Sequence, residues 1–136
     1  MNLNLELNIK PQAHQSFRIG RNGIKYKPKK IKDYQKEVCL LVKQQIPKDF
    51  NIIEAGTQIE ILELVYQFEY LKATPKKNRI QGTPKVTKPD LQDNLNKAFL
   101  DALEGLIYEQ DQNIVSINNL KKCYGETNKI TLKIKY

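Results

Sequence analysis

The sequence predicts a single small domain of the α/β (α+β) class, a β-sheet with two principal helices packed against it. Three observations predict it. Residues 3–9 alternate apolar and polar side chains with a period of two. Two stretches, near 30–46 and 91–104, repeat apolar residues at helical spacing. The remaining apolar runs are short, β-rich and bounded by turn residues. A length of 136 residues fits one domain, and a hydrophobic content of 40% suffices for a modest core.

Taken in order, Leu3, Leu5, Leu7 and Ile9 alternate with Asn4, Glu6 and Asn8, which predicts a half-buried strand ended by Pro11. Residues 12–30 read as a long basic loop, or as a small hairpin turning at Arg21-Asn22-Gly23, where the Asn-Gly pair suits a tight turn. Ile31, Tyr34, Val38, Leu41 and Val42 predict a helix that starts near Lys30 and stops at Ile46-Pro47. Thr57 to Tyr70 predicts a long strand. Its alternation slips at Leu62-Glu63-Leu64-Val65, as a bulge or burial on both faces would require.

Residues 72–89 carry six positive charges and no acid until Asp90, and four Gly or Pro residues oppose regular structure. Such a segment has little reason to order without a partner. A second helix is predicted from Leu91 or Asp93 to Glu104, with Leu95, Phe99, Ala102, Leu103 and Leu106 inward and Gly105 as terminator. Strands at 113–121 and 129–133, with a turn marked by Gly125 and Asn128, close the chain. The order of elements does not fix the strand pairing.

Charge narrows the function. The formal net charge is +8, which favours a phosphate-rich partner over an anionic membrane. No segment has the apolar length of a membrane span. The amino terminus lacks a basic region followed by a long apolar stretch, so no signal peptide is expected. Cys39 and Cys123 are isolated, lack metal-ligand spacing, and read as buried thiols in a reducing cytoplasm. One histidine, His14, is too few for the usual His-rich zinc sites, and Ser and His are too sparse for a Ser-His-Asp triad. Basic residues interleaved with Phe17 and Tyr26 suit a backbone-binding surface, although a solvated loop pinned by its aromatics fits the pattern equally. The candidate phosphate contacts are Arg18, Arg21, Lys25, Lys27, Lys76, Lys77, Arg79, Lys85 and Lys88.

Against this basic background the acids collect late, at Asp90, Asp93, Asp101, Glu109 and Asp111. Asp93, Lys97 and Asp101 are spaced by four, so a helix puts them in one stripe. Asp90 lies just before that helix, and Asp111 comes from the connection to the next strand. Three carboxylates from separate local elements, completed by water, suit Mg²⁺. A metal there would polarise a phosphodiester and acidify an attacking water, and Lys97 would offset charge on a phosphate oxygen. By themselves the residues favour a plain reading, with Asp93 as a helix cap and Lys97–Asp101 as a surface pair worth about a few tenths of a kcal/mol. Asp101 has the weakest case as a ligand and is better suited to orienting Lys97. Glu109 reads as solvated.

The order of motifs resembles that of the RusA-like Holliday junction resolvases, small endodeoxyribonucleases common in prophages. The residues that carry the resemblance are Lys88-Pro89-Asp90, Asp93-Asn94-Leu95-Asn96-Lys97, Asp101-Ala102-Leu103 and the segment from Gly105 to Ile114. Near the amino terminus they are Ile9-Lys10-Pro11, Phe17-Arg18 and Gly23-Ile24-Lys25-Tyr26-Lys27-Pro28. The resemblance spans about residues 8–131. It implies a mixed sheet and a homodimer that nicks four-way DNA junctions in pairs with Mg²⁺. It also implies Asp90, Asp93 and Asp111 as metal ligands, with Lys97 as a further catalytic residue. Two departures bear on activity. Leu91-Gln92 puts two residues between the first aspartates where the family has one, and Gln110-Asp111 keeps only the second acid of the usual pair. Asn113 stands at the family's Gln position. The leading expectation is therefore a junction-resolving nuclease. Its alternatives are a non-catalytic junction-binding protein of the same fold in phage recombination, and a protein-interaction module whose basic loops only solubilise it.

Overall fold

A computed structural model describes residues 1–13, 18–26 and 28–136. His14, Phe17 and Lys27 lie outside the described residues, as does the side chain of Arg18. The elements are β1 (Asn2–Leu7), β2 (Arg18–Ile19), β3 (Lys25–Tyr26), α1 (Lys29–Gln45) and β4 (Ile59–Glu69), then α2 (Asn96–Leu103), β5 (Ile114–Ile117), β6 (Leu120–Gly125) and β7 (Lys129–Lys135). Short 3₁₀ turns occupy Lys76–Asn78 and Asp111–Asn113, and a π-helical turn, Leu91–Leu95, leads into α2. Among the described residues no helix is long and apolar enough to cross a membrane.

The chain forms a single small α+β domain with a mixed sheet. β7 lies between β1 and β4 and is antiparallel to both. The other side of β4 takes β5 along its first half and β6 along its second, both parallel. The single strand expected over 113–121 is thus two, interrupted at Asn118-Asn119. Parallel pairing needs a crossover, which the segment containing α2 supplies. β1 alternates as the sequence predicts, with Leu3, Leu5 and Leu7 buried and their neighbours exposed. In β4 both sources of the broken alternation are present. The register with β7 shifts between Ile61 and Glu63, leaving Leu62 exposed, and Leu64 to Phe68 are then buried in succession.

Both helices cover the sheet. α1 buries Ile31, Tyr34, Val38 and Val42, and stops where Ile46 turns extended ahead of Pro47. α2 buries Ala98, Phe99, Ala102 and Leu103. The Cys39 thiol donates to the Ala102 carbonyl at 3.2 Å, joining the two helices; both cysteines are free. Phe99 meets Tyr66 of β4 edge-on, with ring centroids 6.0 Å apart. Such a pair contributes about 0.5–1.5 kcal/mol beyond its buried area. Of the two alternatives for residues 12–30, the hairpin at Asn22-Gly23 is the one present: β2 pairs β3, and Gly23 takes φ +73°, a conformation open mainly to glycine.

The basic segment 72–89 departs from its expectation. It is tied to β6 by backbone bonds from Gly82 to Tyr124, from Tyr124 to Thr83 and from Lys85 to Lys122. The Lys122 ammonium also donates to the carbonyls of Thr87 and Pro89, at 2.6 and 2.7 Å. The free edge of β6 supplies the partners that the segment's own composition does not.

Candidate metal centre and basic surface

The site is built where α2 begins and ends. Asp90 holds the N-cap position with extended backbone angles, but its side chain makes no capping bond. Its carbonyl accepts the Leu95 amide at 3.0 Å, which closes a turn one residue wider than an α-turn. The next bond of this kind runs from the Asn96 amide to the Leu91 carbonyl. A π-turn is how a helix absorbs one extra residue without rotating its later turns, and it falls on the Leu91-Gln92 spacing. Asp93 therefore sits inside the first turn and not at the cap. Negative charge there is favoured by the helix dipole.

Beyond the bulge the ladder is anchored from the sheet. The Tyr66 hydroxyl donates to Asn96 Oδ1 at 2.8 Å, and both residues are buried. Burial pushes the Tyr66 phenol well above its ordinary range, with Tyr34 and Tyr108 adding to the shift. At its other end α2 stops at Leu103. Gly105 adopts φ +84°, and its amide donates to the Tyr108 carbonyl at 2.7 Å. This reversal returns the chain beside the helix end. Glu109 Oε2 accepts the Ala55 amide at 2.8 Å, so this exposed acid serves the neighbouring turn. The buried Asn113 donates to the Glu54 carbonyl at 2.8 Å. Asp111 is left exposed at the start of the 3₁₀ turn between them.

Asp93, Lys97, Asp101 and Asp111 consequently line one pocket of about 350 Å³, together with Gln92, Asn96, Leu100 and Ile114. Asp90 is not among its lining residues; its carboxylate lies 3.4 Å from Asn94 Nδ2. Among the described residues Lys97 forms no ion pair, so the surface Lys97–Asp101 pair of the plain reading is not made.

The tightest group of acids is Asp101, Glu104 and Asp111, whose carboxylate oxygens lie within 4.8 Å of one another. Oxygen-only donors of this kind are able to coordinate a hard divalent cation. Tyr108 lies beneath them, its hydroxyl donating to the Leu100 carbonyl at 2.6 Å. Burial is the main reason its phenol is pushed far up, and Asp111, Glu104 and Asp101 reinforce the shift in that order. Glu104 is the site residue that sequence reasoning missed. The available signal was its position three after Asp101, ahead of a helix-ending glycine.

The predicted phosphate contacts divide into groups. Arg21 and Lys25 are exposed on the β2–β3 hairpin, and Lys76 and Lys77 on the 3₁₀ turn. Arg79 is half-buried, its guanidinium 5.6 Å over the Tyr70 ring and its Nε bonded to the Thr74 carbonyl at 3.1 Å. Lys85 is also half-buried and lies over Phe68 and Tyr124, while Lys88 is exposed. Lys88 is joined to Pro89 by a cis peptide bond.

No curated protein matches the chain. The family model described as Endodeoxyribonuclease RusA matches residues 6–135, from the last part of β1 through the end of β7 and across every acid of the pocket. The chain therefore belongs to the RusA endodeoxyribonuclease family.

Proposed function

We propose that the protein is a Mg²⁺-dependent, structure-selective endodeoxyribonuclease that acts as a homodimer and resolves four-way DNA junctions by paired nicks. The observation that carries this reading is the pocket shared by Asp93, Lys97, Asp101 and Asp111 in a member of an endodeoxyribonuclease family. Asp93 and Asp111 are the proposed ligands on the pocket wall, and Asp90 is the third, from the turn before the helix. The bound ion supplies positive charge that polarises the phosphodiester and acidifies water. Lys97 faces the scissile phosphate and offsets the negative charge that develops there. Asp101, which makes no ion pair with Lys97, acts with Glu104 to strengthen the negative field that attracts the cation. Two equivalent strands of a junction match two sites related by a two-fold axis. The basic residues of the hairpin and of segment 72–89 hold phosphates and carry little sequence information.

The test is nicking of a synthetic four-way junction by purified protein with Mg²⁺. Asp93→Asn and Asp111→Asn should each slow cleavage by ~10²-fold or more, with junction binding retained. Asp101→Asn should be milder. Added Mg²⁺ should raise the thermal midpoint of the parent and not that of Asp111→Asn, because an ion stabilises only a state that binds it. Parental cutting rates in both asparagine variants would overturn the mechanism. A second reading, a junction-binding protein that does not cut, is favoured by the position of Asp90 outside the pocket lining. Mg²⁺-dependent nicking that is lost in Asp93→Asn would eliminate it.

A further inference from the structure

We propose that Asn96 is a further substrate-contacting residue: its side-chain nitrogen donates to a non-bridging oxygen of the phosphodiester in the acidic pocket, and Tyr66 holds it in position. This rests on the nuclease reading above and deepens it.

A buried carboxamide must match an acceptor oxygen and a donor nitrogen, and a group left unmatched is costly. Among the described residues the buried polar side chains are Gln67, Asn96 and Asn113, and all three are carboxamides. Gln67 is matched at both ends. Its Nε2 donates to the Thr127 carbonyl at 2.7 Å, and its Oε1 accepts from Gln81 at 2.7 Å. Asn113 is matched at both ends too. Its Nδ2 donates to the Glu54 carbonyl at 2.8 Å, and its Oδ1 accepts the Gly56 amide at 3.4 Å. Asn96 differs: its Oδ1 accepts from the Tyr66 hydroxyl at 2.8 Å, while its Nδ2 has no acceptor among the described residues. That nitrogen is not sealed in the core either. The side-chain atoms that are both sealed and unpartnered are the Tyr34 hydroxyl and Ser116 Oγ. The opening that Asn96 lines is the acidic pocket.

The chemistry of the free atom selects its ligand. An N–H donor does not coordinate a cation, so it adds nothing to the carboxylates that would hold one. It needs an acceptor, and neither Asp93, Asp101 nor Asp111 on the same pocket wall supplies one. A phosphodiester brings acceptors, and its non-bridging oxygens gain negative charge as the bond is attacked. Lys97 is exposed and would reach such an oxygen on a flexible stem. The Asn96 amide is buried and its plane is set by the Tyr66 bond. A donor already in place costs no reorganisation when the charge develops.

Two measurements test this. In the first, NMR follows the side-chain NH₂ of Asn96 in ¹⁵N-labelled parent, identified by its loss in Asn96→Ala. A thymidine dinucleotide, which carries one phosphodiester, is added with Mg²⁺. The signal should move with the dinucleotide and stay in place with thymidine. A signal unmoved by the dinucleotide, or moved equally by thymidine, overturns the contact. In the second, junction nicking is measured for the parent, Asn96→Ala, Tyr66→Phe and the double variant. Asn96→Ala should lower kcat by ~10²-fold with KM little changed, as loss of a donor used in the transition state requires. Tyr66→Phe should lower kcat less, and the double variant should cut no more slowly than Asn96→Ala, because Tyr66 acts through Asn96. Losses that multiply overturn the positioning role of Tyr66. Parental cutting by Asn96→Ala overturns the contact and leaves the nuclease reading standing. A parent that does not nick, with a signal that still moves on adding the dinucleotide, overturns the nuclease reading and leaves the contact standing.

Discussion

Tyr66 puts its hydroxyl 2.8 Å from Asn96 Oδ1 at the junction of the π-turn and α2, where both residues are buried. Tyr66→Phe removes the donor and leaves a buried amide oxygen unsatisfied, at a cost of about 1–3 kcal/mol. Chemical denaturation should show that loss with an unchanged slope, and the Phe99 ring contact should survive because the ring is kept. A cost below about 0.5 kcal/mol would mean that Asn96 finds another donor. At this scale the sequence is legible where a motif carries chemistry. Asp93, Lys97 and Asp101 are named by their spacing and Asp111 by its place before the next strand, and these four line one pocket, whereas Asp90 lies outside its lining. Glu104 is not named in this way, because an acid three residues after another on a helix is ordinarily a surface neighbour. It becomes part of a cluster only through the Gly105 reversal that returns Asp111 beside it.

Among the elements, the π-turn is the one that decides whether the altered aspartate spacing matters. A bulge confines an inserted residue to its own turn, so α2 keeps the inward face of Ala98, Phe99 and Ala102. Removing the exposed Gln92 should therefore let the turn close as ordinary α-helix with the core intact. Circular dichroism should give the same helical content and an equal or higher thermal midpoint. A collapse of the midpoint would show that the helix register depends on the extra residue. The end of β6 offers a second test. A Cβ at Gly125 would collide with the carboxamide of Gln67, which is buried and bonded to Gln81 and to the Thr127 carbonyl. Gly125→Ala should cost about 1–3 kcal/mol by denaturation, and Gln67→Ala in the same chain should return part of that through relief of the clash. The hairpin, the β4 bulge and the ends of α1 were legible because local patterns and turn residues determine them. The docking of segment 72–89 was not, since its partners lie on β6, distant in sequence.

Over the whole molecule, the strand order was beyond a sequence reading, because alternation states which face is buried and not which edge is paired. The core that this order encloses buries a tyrosine from each part of the fold: Tyr34 from α1, Tyr66 from β4 and Tyr108 from the turn after α2. Burial pushes all three phenols above their ordinary value of 10.0, and Tyr34 and Tyr108 each raise Tyr66 further. In the unfolded chain each ionises near the ordinary value. Below about pH 10 both states keep these protons, and this contribution to stability is fully present. Above it the unfolded chain loses protons that the folded chain retains, so stability falls as pH rises toward the folded values. With one proton retained at each of three sites the slope approaches ~4 kcal/mol per pH unit. Denaturation measured from pH 7 to 11 should therefore show no change from these groups up to about pH 9 and a steep loss beyond about pH 10. Tyr34→Phe should remove about a third of that slope whatever it does to stability at pH 7, because it deletes one of the three linked protons. An unchanged alkaline slope in that variant would mean that Tyr34 ionises alike in the folded and unfolded chains.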